Sequence, residues 1–185
     1  MKLGLYGGSF DPVHLGHLIL AREARERLGL DRILFIPAAH SPHKLSTSPV
    51  PSEVRREMLA AALADEPGFV LEECDLRRTG PSFAIETVRE LRGRWPEAEF
   101  FYLIGHDNVA KLHTWHSYEA LRCAVQFVVF GRGEHDAPHG FPTIVRRVDI
   151  SATEVRTRVA RGESIRYLVP DPVREIIARR QLYKE

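Results

Sequence analysis

Cysteine is scarce in this 185-residue chain, which has only Cys74 and Cys123. They lie far apart and form no Cys-x-x-Cys pair. That excludes a disulfide framework and a cysteine zinc knuckle, and it fits a reducing, cytoplasmic setting. Long apolar runs are missing too. No stretch approaches the roughly 18 apolar residues that a membrane span needs. The apolar start Met1–Tyr6 is cut off by Gly7-Gly8, too early for a signal-peptide core. Net charge is almost absent, with 26 Lys+Arg against 25 Asp+Glu. Proteins that live on duplex DNA usually carry a basic surplus, so no nucleic-acid partner and no membrane partner is expected. A phosphate ligand stays open, because one pocket can be basic on a neutral protein. No repeat, low-complexity segment or boundary signal occurs, so residues 1–185 read as one domain with room for a real core. What the chain does have is histidine, nine in all, and their placement becomes the main question.

Strand and helix signals alternate. Lys2–Tyr6 reads as a strand and Leu15–Leu28 as an amphipathic helix with Leu18, Ala21 and Leu28 on one stripe. Arg32–Ile36 is a second strand, stopped by Pro37. A proline-rich loop, Ala38–Pro51, has the length and polarity of loops that carry function. A helix over about Glu53–Ala64 and a strand at Phe69–Glu73 follow. Ser82 is placed to cap a helix running to about Arg94. Glu99–Ile104 is the most apolar strand. Ser117–Arg122 reads as a short helix, Gln126–Phe130 as a buried strand and Thr143–Asp149 as an alternating one. Ser151-Ala152-Thr153-Glu154 opens the helix Glu154–Ala160 with a capping box, and Val173–Leu182 is the last helix. Strands separated by helices of this size predict an α/β, Rossmann-like, doubly wound parallel sheet with helices on both faces. In such sheets ligands bind at the carboxyl ends of strands, where the strand order reverses.

The turn after the first strand is the most informative segment: Gly7-Gly8-Ser9-Phe10-Asp11-Pro12-Val13-His14-Leu15-Gly16-His17. Its glycines let backbone N–H groups approach an anion. The following helix points its positive end the same way. His14 and His17, three apart, place both imidazoles on one side of the first helical turn. Such rings can donate hydrogen bonds to phosphate oxygens without a permanent charge.

This string resembles the nucleotidylyltransferase signature Gly-Gly-Ser/Thr-Phe-Asp-Pro-x-His-x-Gly-His, and within that superfamily the chain is most similar to bacterial nicotinate-nucleotide adenylyltransferases. The resemblance extends along nearly the whole chain. It includes Pro42-His43-Lys44, Arg55–Met58, Leu103-Ile104-Gly105-His106-Asp107 followed by Trp115, and Phe127–Arg132. It continues through Ile150-Ser151-Ala152-Thr153-Glu154-Val155-Arg156, Tyr167-Leu168-Val169-Pro170 and Leu182-Tyr183.

The resemblance implies a nucleotide-binding transferase of pyridine nucleotide biosynthesis, in which nicotinate mononucleotide attacks the α-phosphorus of ATP to give deamido-NAD and pyrophosphate. Such a transfer needs positioning and charge stabilisation more than covalent catalysis, and no nucleophilic Ser or Cys is evident in the motifs. His14 and His17 are the implied catalytic pair at the α- and β-phosphates. Gly8, Ser9 and Phe10 are expected near the nucleotides, and Gly105 and Asp107 at the ATP ribose. Ser151, Thr153 and Arg156 are expected on the outer phosphates. Lys44, Ser82, Phe83, Ala84 and Trp115 are the implied contacts to the pyridine nucleotide. Mg²⁺ is expected with ATP, and no protein metal cage is expected because no carboxylate cluster occurs.

Two departures from the family pattern touch specificity. The family's Ser-Tyr-Thr is Ser82-Phe83-Ala84 here, with no phenol and no second hydroxyl. His106 stands where a small residue is commoner. A nicotinamide-mononucleotide or dual-specificity enzyme is therefore an alternative, as is a non-catalytic nucleotide sensor. Three His-x-x-His pairs, His14/His17, His40/His43 and His113/His116, permit a metal reading, but the cysteines supply no further ligands. His106-Asp107 is also the dyad of the His-Asp phosphohydrolases, which are all-helical, whereas this dyad follows a strand-like run.

Overall fold

The computed structural model describes residues 1–40, 50–131 and 139–184. Six strands form one sheet: β1 Lys2–Gly8, β2 Arg32–Pro37, β3 Phe69–Leu71, β4 Glu99–Gly105, β5 Gln126–Gly131 and β6 Thr143–Val145. Every pairing is parallel and the order is β3-β2-β1-β4-β5-β6. The chain builds outward from β1 to β3, returns to the other side of β1, and builds outward again. The reversal lies between β1 and β4, where Leu3 pairs with Phe100 and Leu5 with Tyr102.

The helices are α1 Leu15–Leu28, α2 Ser52–Leu63, α3 Cys74–Arg77, α4 Ala84–Arg94, α5 Tyr118–Ala124, α6 Ala152–Ala160 and α7 Asp171–Arg179; a 3₁₀ helix spans His106–Thr114. The strands are apolar at nearly every position because both faces are covered, and their two-residue period sorts them into two cores. Tyr6, Phe35, Phe101, Leu103, Val128 and Phe130 face one core, with Ala21 of α1, Met58 of α2, Val155 of α6 and Val173 of α7. Leu5, Leu34, Phe100, Tyr102, Ile104 and Val129 face the other, with Cys74 of α3, Val88 of α4, Leu112 of the 3₁₀ helix and Leu121 of α5. The expected doubly wound architecture is therefore the one observed. Among the described residues, no helix is long and apolar enough to cross a membrane.

Two local expectations are corrected. Ser82 does not cap α4: Phe83 holds the cap position without a side-chain bond, and Ser82 Oγ instead accepts from the Ala39 N–H at 3.0 Å. A partner from the loop after β2 outcompetes the local cap. The strand expected over Thr143–Asp149 pairs only over Thr143–Val145, beside β5. The N-cap half of the box expected before α6 forms, with Ser151 Oγ accepting from the Glu154 N–H at 3.1 Å.

Candidate active site

The turn from β1 into α1 is built around two stacked imidazoles. His14 is the N-cap of α1 and is extended, with φ −142° and ψ 168°. His17 sits one turn on, and the two ring centroids are 3.7 Å apart at 31°. His17 Nδ1 accepts from the His14 backbone N–H at 3.2 Å, so the hydrogen of a neutral His17 ring resides on Nε2. His14 is buried, its Nδ1 has no hydrogen-bond partner, and burial pushes its pKa down to about 4. At neutral pH it is an uncharged imidazole. Phe10 crosses the edge of His17 with centroids 5.1 Å apart and packs in the first core. Its φ of 47° makes Phe10, not a neighbouring glycine, the left-handed residue of the turn. A bulky residue held there marks a conformation that the surroundings enforce.

Those surroundings come from three distant elements. Arg55 of α2 is buried and donates to the carbonyls of Ser9 (2.7 Å), Val50 (2.9 Å) and Ala39 (3.3 Å). Arg156 of α6 donates to the Asp11 carbonyl at 2.8 Å and to Thr153 Oγ1 at 3.3 Å. Tyr183 donates its phenol to Asp11 Oδ1 at 2.6 Å. The first N–H of α1, from Leu15, is taken by the Leu168 carbonyl at 2.8 Å, which ties the Tyr167–Pro170 segment to the helix start.

At the end of β4, Gly105 leads into the 3₁₀ helix. A Cβ at Gly105 would lie 2.5 Å from Asp107 Oδ1, so only glycine leaves this carboxylate where it is. Asp107 itself is exposed, and Asn108 Nδ2 donates to it at 3.4 Å.

The other side of the sheet supplies an aromatic wall. Phe83 lies flat against His116, with centroids 4.4 Å apart at 28°. Trp115 is half-buried against the second core and meets Tyr102 edge-on at 5.9 Å. Behind Ser82 sits Asp75, a buried carboxylate that accepts from Thr87, Arg78 and Ser82. Burial raises its pKa despite these donors. Neither Asp75 nor His116 was singled out for a site role from sequence. Asp75 acts through residues distant in the chain, and His116 showed only as half of a His-x-x-His pair.

The paired histidines, Phe10, Arg55, Arg156, Asp107, Asp75 and the aromatic wall line one cleft of about 1250 Å³ over the carboxyl edge of the sheet. Every site residue expected from sequence lines it, except Lys44, which lies outside the described residues. Arg132, the end of the Phe127–Arg132 segment of the resemblance, also lies outside them. The cleft straddles the sheet. His14, His17, Ser151, Thr153 and Arg156 come from the α1 and α6 side, and Ser82, Phe83, Ala84, Trp115 and His116 from the α4 side. Arg55, Arg146 and His106 also line it and were not among the site residues expected from sequence. Among the described residues, no three His, Cys, Asp or Glu side chains gather as metal ligands.

Comparison with known proteins bears directly on this cleft. The Cytidylyltransferase-like family profile matches residues 5–158, from inside β1 to near the end of α6. A relative from Exiguobacterium sibiricum, named as a probable nicotinate-nucleotide adenylyltransferase, is 43% identical over 99% of both chains. One of the same name from Thermus thermophilus is 42% identical over 100% of both. The chain belongs to the nicotinate-nucleotide adenylyltransferase family. As a member it is a nucleotidyltransferase. Two solved structures of the Plasmodium falciparum nicotinic acid mononucleotide adenylyltransferase share its fold. The complex with NaAD has a TM-score of 0.81 at 16% identity over 98% of this chain and 97% of that one. The complex with APC has a TM-score of 0.77 at 17% identity over 98% and 96%.

Proposed function

We propose that the protein transfers the adenylyl group of ATP to nicotinate mononucleotide, forming deamido-NAD and pyrophosphate. The observation that carries this reading is the two-sided cleft at the strand-order reversal, with the His14–His17 pair on the turn between its walls. One wall has the donors a triphosphate needs, the Ser151 and Thr153 hydroxyls and the Arg156 guanidinium, at the start of a helix. The other wall is aromatic and suits a pyridine ring. The volume, about 1250 Å³, exceeds the roughly 300–1,000 Å³ of a pocket for one small ligand.

In the reaction a phosphate oxygen of the mononucleotide bonds to the α-phosphorus. The bond from that phosphorus to the α–β bridging oxygen breaks, and its electron pair leaves on pyrophosphate. The attacking phosphate is already ionised at neutral pH, so no general base is required. His14 and His17 Nε2 donate hydrogen bonds to the α- and β-phosphates, where charge grows. Gly8, Ser9 and Phe10 shape the turn beside them, and Gly105 and Asp107 receive the ribose. Ser82 serves through its bond to Ala39 rather than as a free hydroxyl, and Phe83, Ala84, Trp115 and Lys44 complete the mononucleotide side. Mg²⁺ enters as part of the substrate, held by ATP oxygens and water.

Purified protein with ATP and Mg²⁺ is to be assayed for pyrophosphate release and dinucleotide formation, with nicotinate and nicotinamide mononucleotides side by side. Turnover of the acid supports the reading, and none with the acid overturns it. A second reading, dual specificity, is favoured by the missing hydroxyls at Phe83 and Ala84. Equal kcat/KM for acid and amide would establish it.

A further inference from the structure

A buried tyrosine hydroxyl ordinarily finds a hydrogen-bond partner, because stranding it forfeits its hydration. Tyr102 of β4 finds none within the described protein. It lies opposite Leu5 of β1 and is only 7% exposed. Its ring meets Trp115 edge-on at 5.9 Å and tilts against Phe127 at 5.8 Å. The side chain leans along the strand toward the carboxyl edge, since a Cβ on Gly7 would lie 3.0 Å from the Tyr102 hydroxyl oxygen. Glycine at that position leaves the phenol its place, and both residues line the cleft. Asp75 is close enough to act on the phenol, but it already accepts from Thr87, Arg78 and Ser82. No described group hydrogen-bonds the Tyr102 hydroxyl. Phenylalanine would serve the packing equally well, so the oxygen is left for a ligand.

The position of the hydroxyl selects the ligand. It stands at the end of β1, where the strand order reverses, on the face of the sheet that carries α4. Burial, with Asp75 nearby, holds the phenol well above its ordinary pKa, so it stays protonated and can donate. A donor beside the Gly7-Gly8 turn suits an oxyanion. His14, His17 and Arg156 serve ATP from the other face, which leaves the anion that enters along α4. We infer that Tyr102 is a further substrate-contacting residue: its hydroxyl donates to the phosphate of the pyridine mononucleotide and holds that phosphate in line with the α-phosphorus of ATP. This rests on the adenylyl-transfer reading above. Acid and amide mononucleotides share the phosphate, so the contact is blind to the pyridine substituent.

Tyr102→Phe deletes the oxygen and keeps the ring. The test combines three measurements on wild type and variant. They are steady-state kinetics with each mononucleotide that the wild type turns over, phosphorus NMR of the mononucleotide with excess protein, and urea unfolding without ligand. A hydrogen bond to a charged group is worth about tenfold or more in binding. The kcat/KM for each mononucleotide is therefore expected to fall about tenfold, by the same factor for acid and amide, with the KM for ATP unchanged. The phosphorus resonance of the mononucleotide is expected to differ between the two proteins. The variant is expected to unfold at or above the wild-type urea midpoint, because no bond within the protein is lost. An unchanged kcat/KM, a loss confined to the KM for ATP, one shared resonance position or an earlier unfolding midpoint each overturns this inference and leaves adenylyl transfer standing. A wild type that turns over neither mononucleotide overturns the adenylyl-transfer reading, and the inference with it.

Discussion

Tyr183 donates its phenol to the carboxylate of Asp11 over 2.6 Å, joining residues 172 positions apart. The bond anchors the end of the described chain to the turn that carries the paired histidines. Burial and the adjacent Asp11 push the Tyr183 phenol above its ordinary pKa, so it stays protonated and donating throughout the working range. Arg55 and Arg156 hold the Ser9 and Asp11 carbonyls of the same turn. The geometry of that turn is thus imposed by α2, α6 and the segment after α7, not by its own residues alone.

Tyr183→Phe removes one donor from a part-buried carboxylate while leaving the ring in place. Hydrogen bonds to charged groups contribute about 1.5–3 kcal/mol. Urea unfolding is expected to show a loss of about that size, with kcat reduced because the turn is less firmly held. A variant equal to the wild type in both would show that the Arg55 and Arg156 contacts suffice.

His17→Ala is expected to cut kcat by about 10²–10³, the usual cost of losing one donor to a developing oxyanion. Circular dichroism should match the wild type. Near-normal pyrophosphate release would remove His17 from the catalytic pair.

The buried His14 makes stability depend on pH. Its native pKa is held down to about 4, against about 6.5 in an unfolded chain. Between those values the unfolded state binds a proton that the native state refuses, so this contribution to stability rises with pH. It is complete above pH 6.5 and lost progressively as pH falls toward 4, by about 3 kcal/mol at most. Urea unfolding of wild type and His14→Asn at pH 7 and pH 4.5 measures it. The wild type is expected to lose more stability than the variant between the two, and equal losses would contradict the assignment.

Gly105→Ala separates a substrate effect from a folding effect. The backbone there, φ −72° and ψ 150°, suits alanine, but the new Cβ would fall 2.5 Å from Asp107 Oδ1. The carboxylate can swing away at little cost to the fold. A several-fold rise in the KM for ATP is expected, with stability within about 0.5 kcal/mol of the wild type. Unchanged KM would place the ribose away from Asp107.

The doubly wound sheet was legible because each strand is apolar on both faces and each crossover carries a helical period. The bounds of α1, Leu15–Leu28, follow directly from that period. The His14–His17 pair was legible because a three-residue spacing on a helix start fixes which side both rings share. Features that depend on partners from elsewhere were hidden. Ser82 looks like a helix cap until the Ala39 N–H claims its hydroxyl. Arg55 looks like an ordinary helix residue until Val50, Ser9 and Ala39 converge on it. The 3₁₀ helix His106–Thr114 and the four-residue α3 are too short or too tightly wound to show a 3.6-residue pattern. The Phe83–His116 stack joins two segments well separated in the chain, and no local spacing encodes it.

The division of the cleft between two separate cores has a consequence for how the protein can change. A substitution on the α4 wall disturbs packing around Val88 and Leu121, while the triphosphate wall rests on Val155 and Val173. Groups more than about 7–10 Å apart with no shared partner contribute independently. The choice of pyridine can therefore be altered while the grip on ATP is retained, as two dials rather than one, with the turn from Gly7 to His17 as the hinge pin common to both.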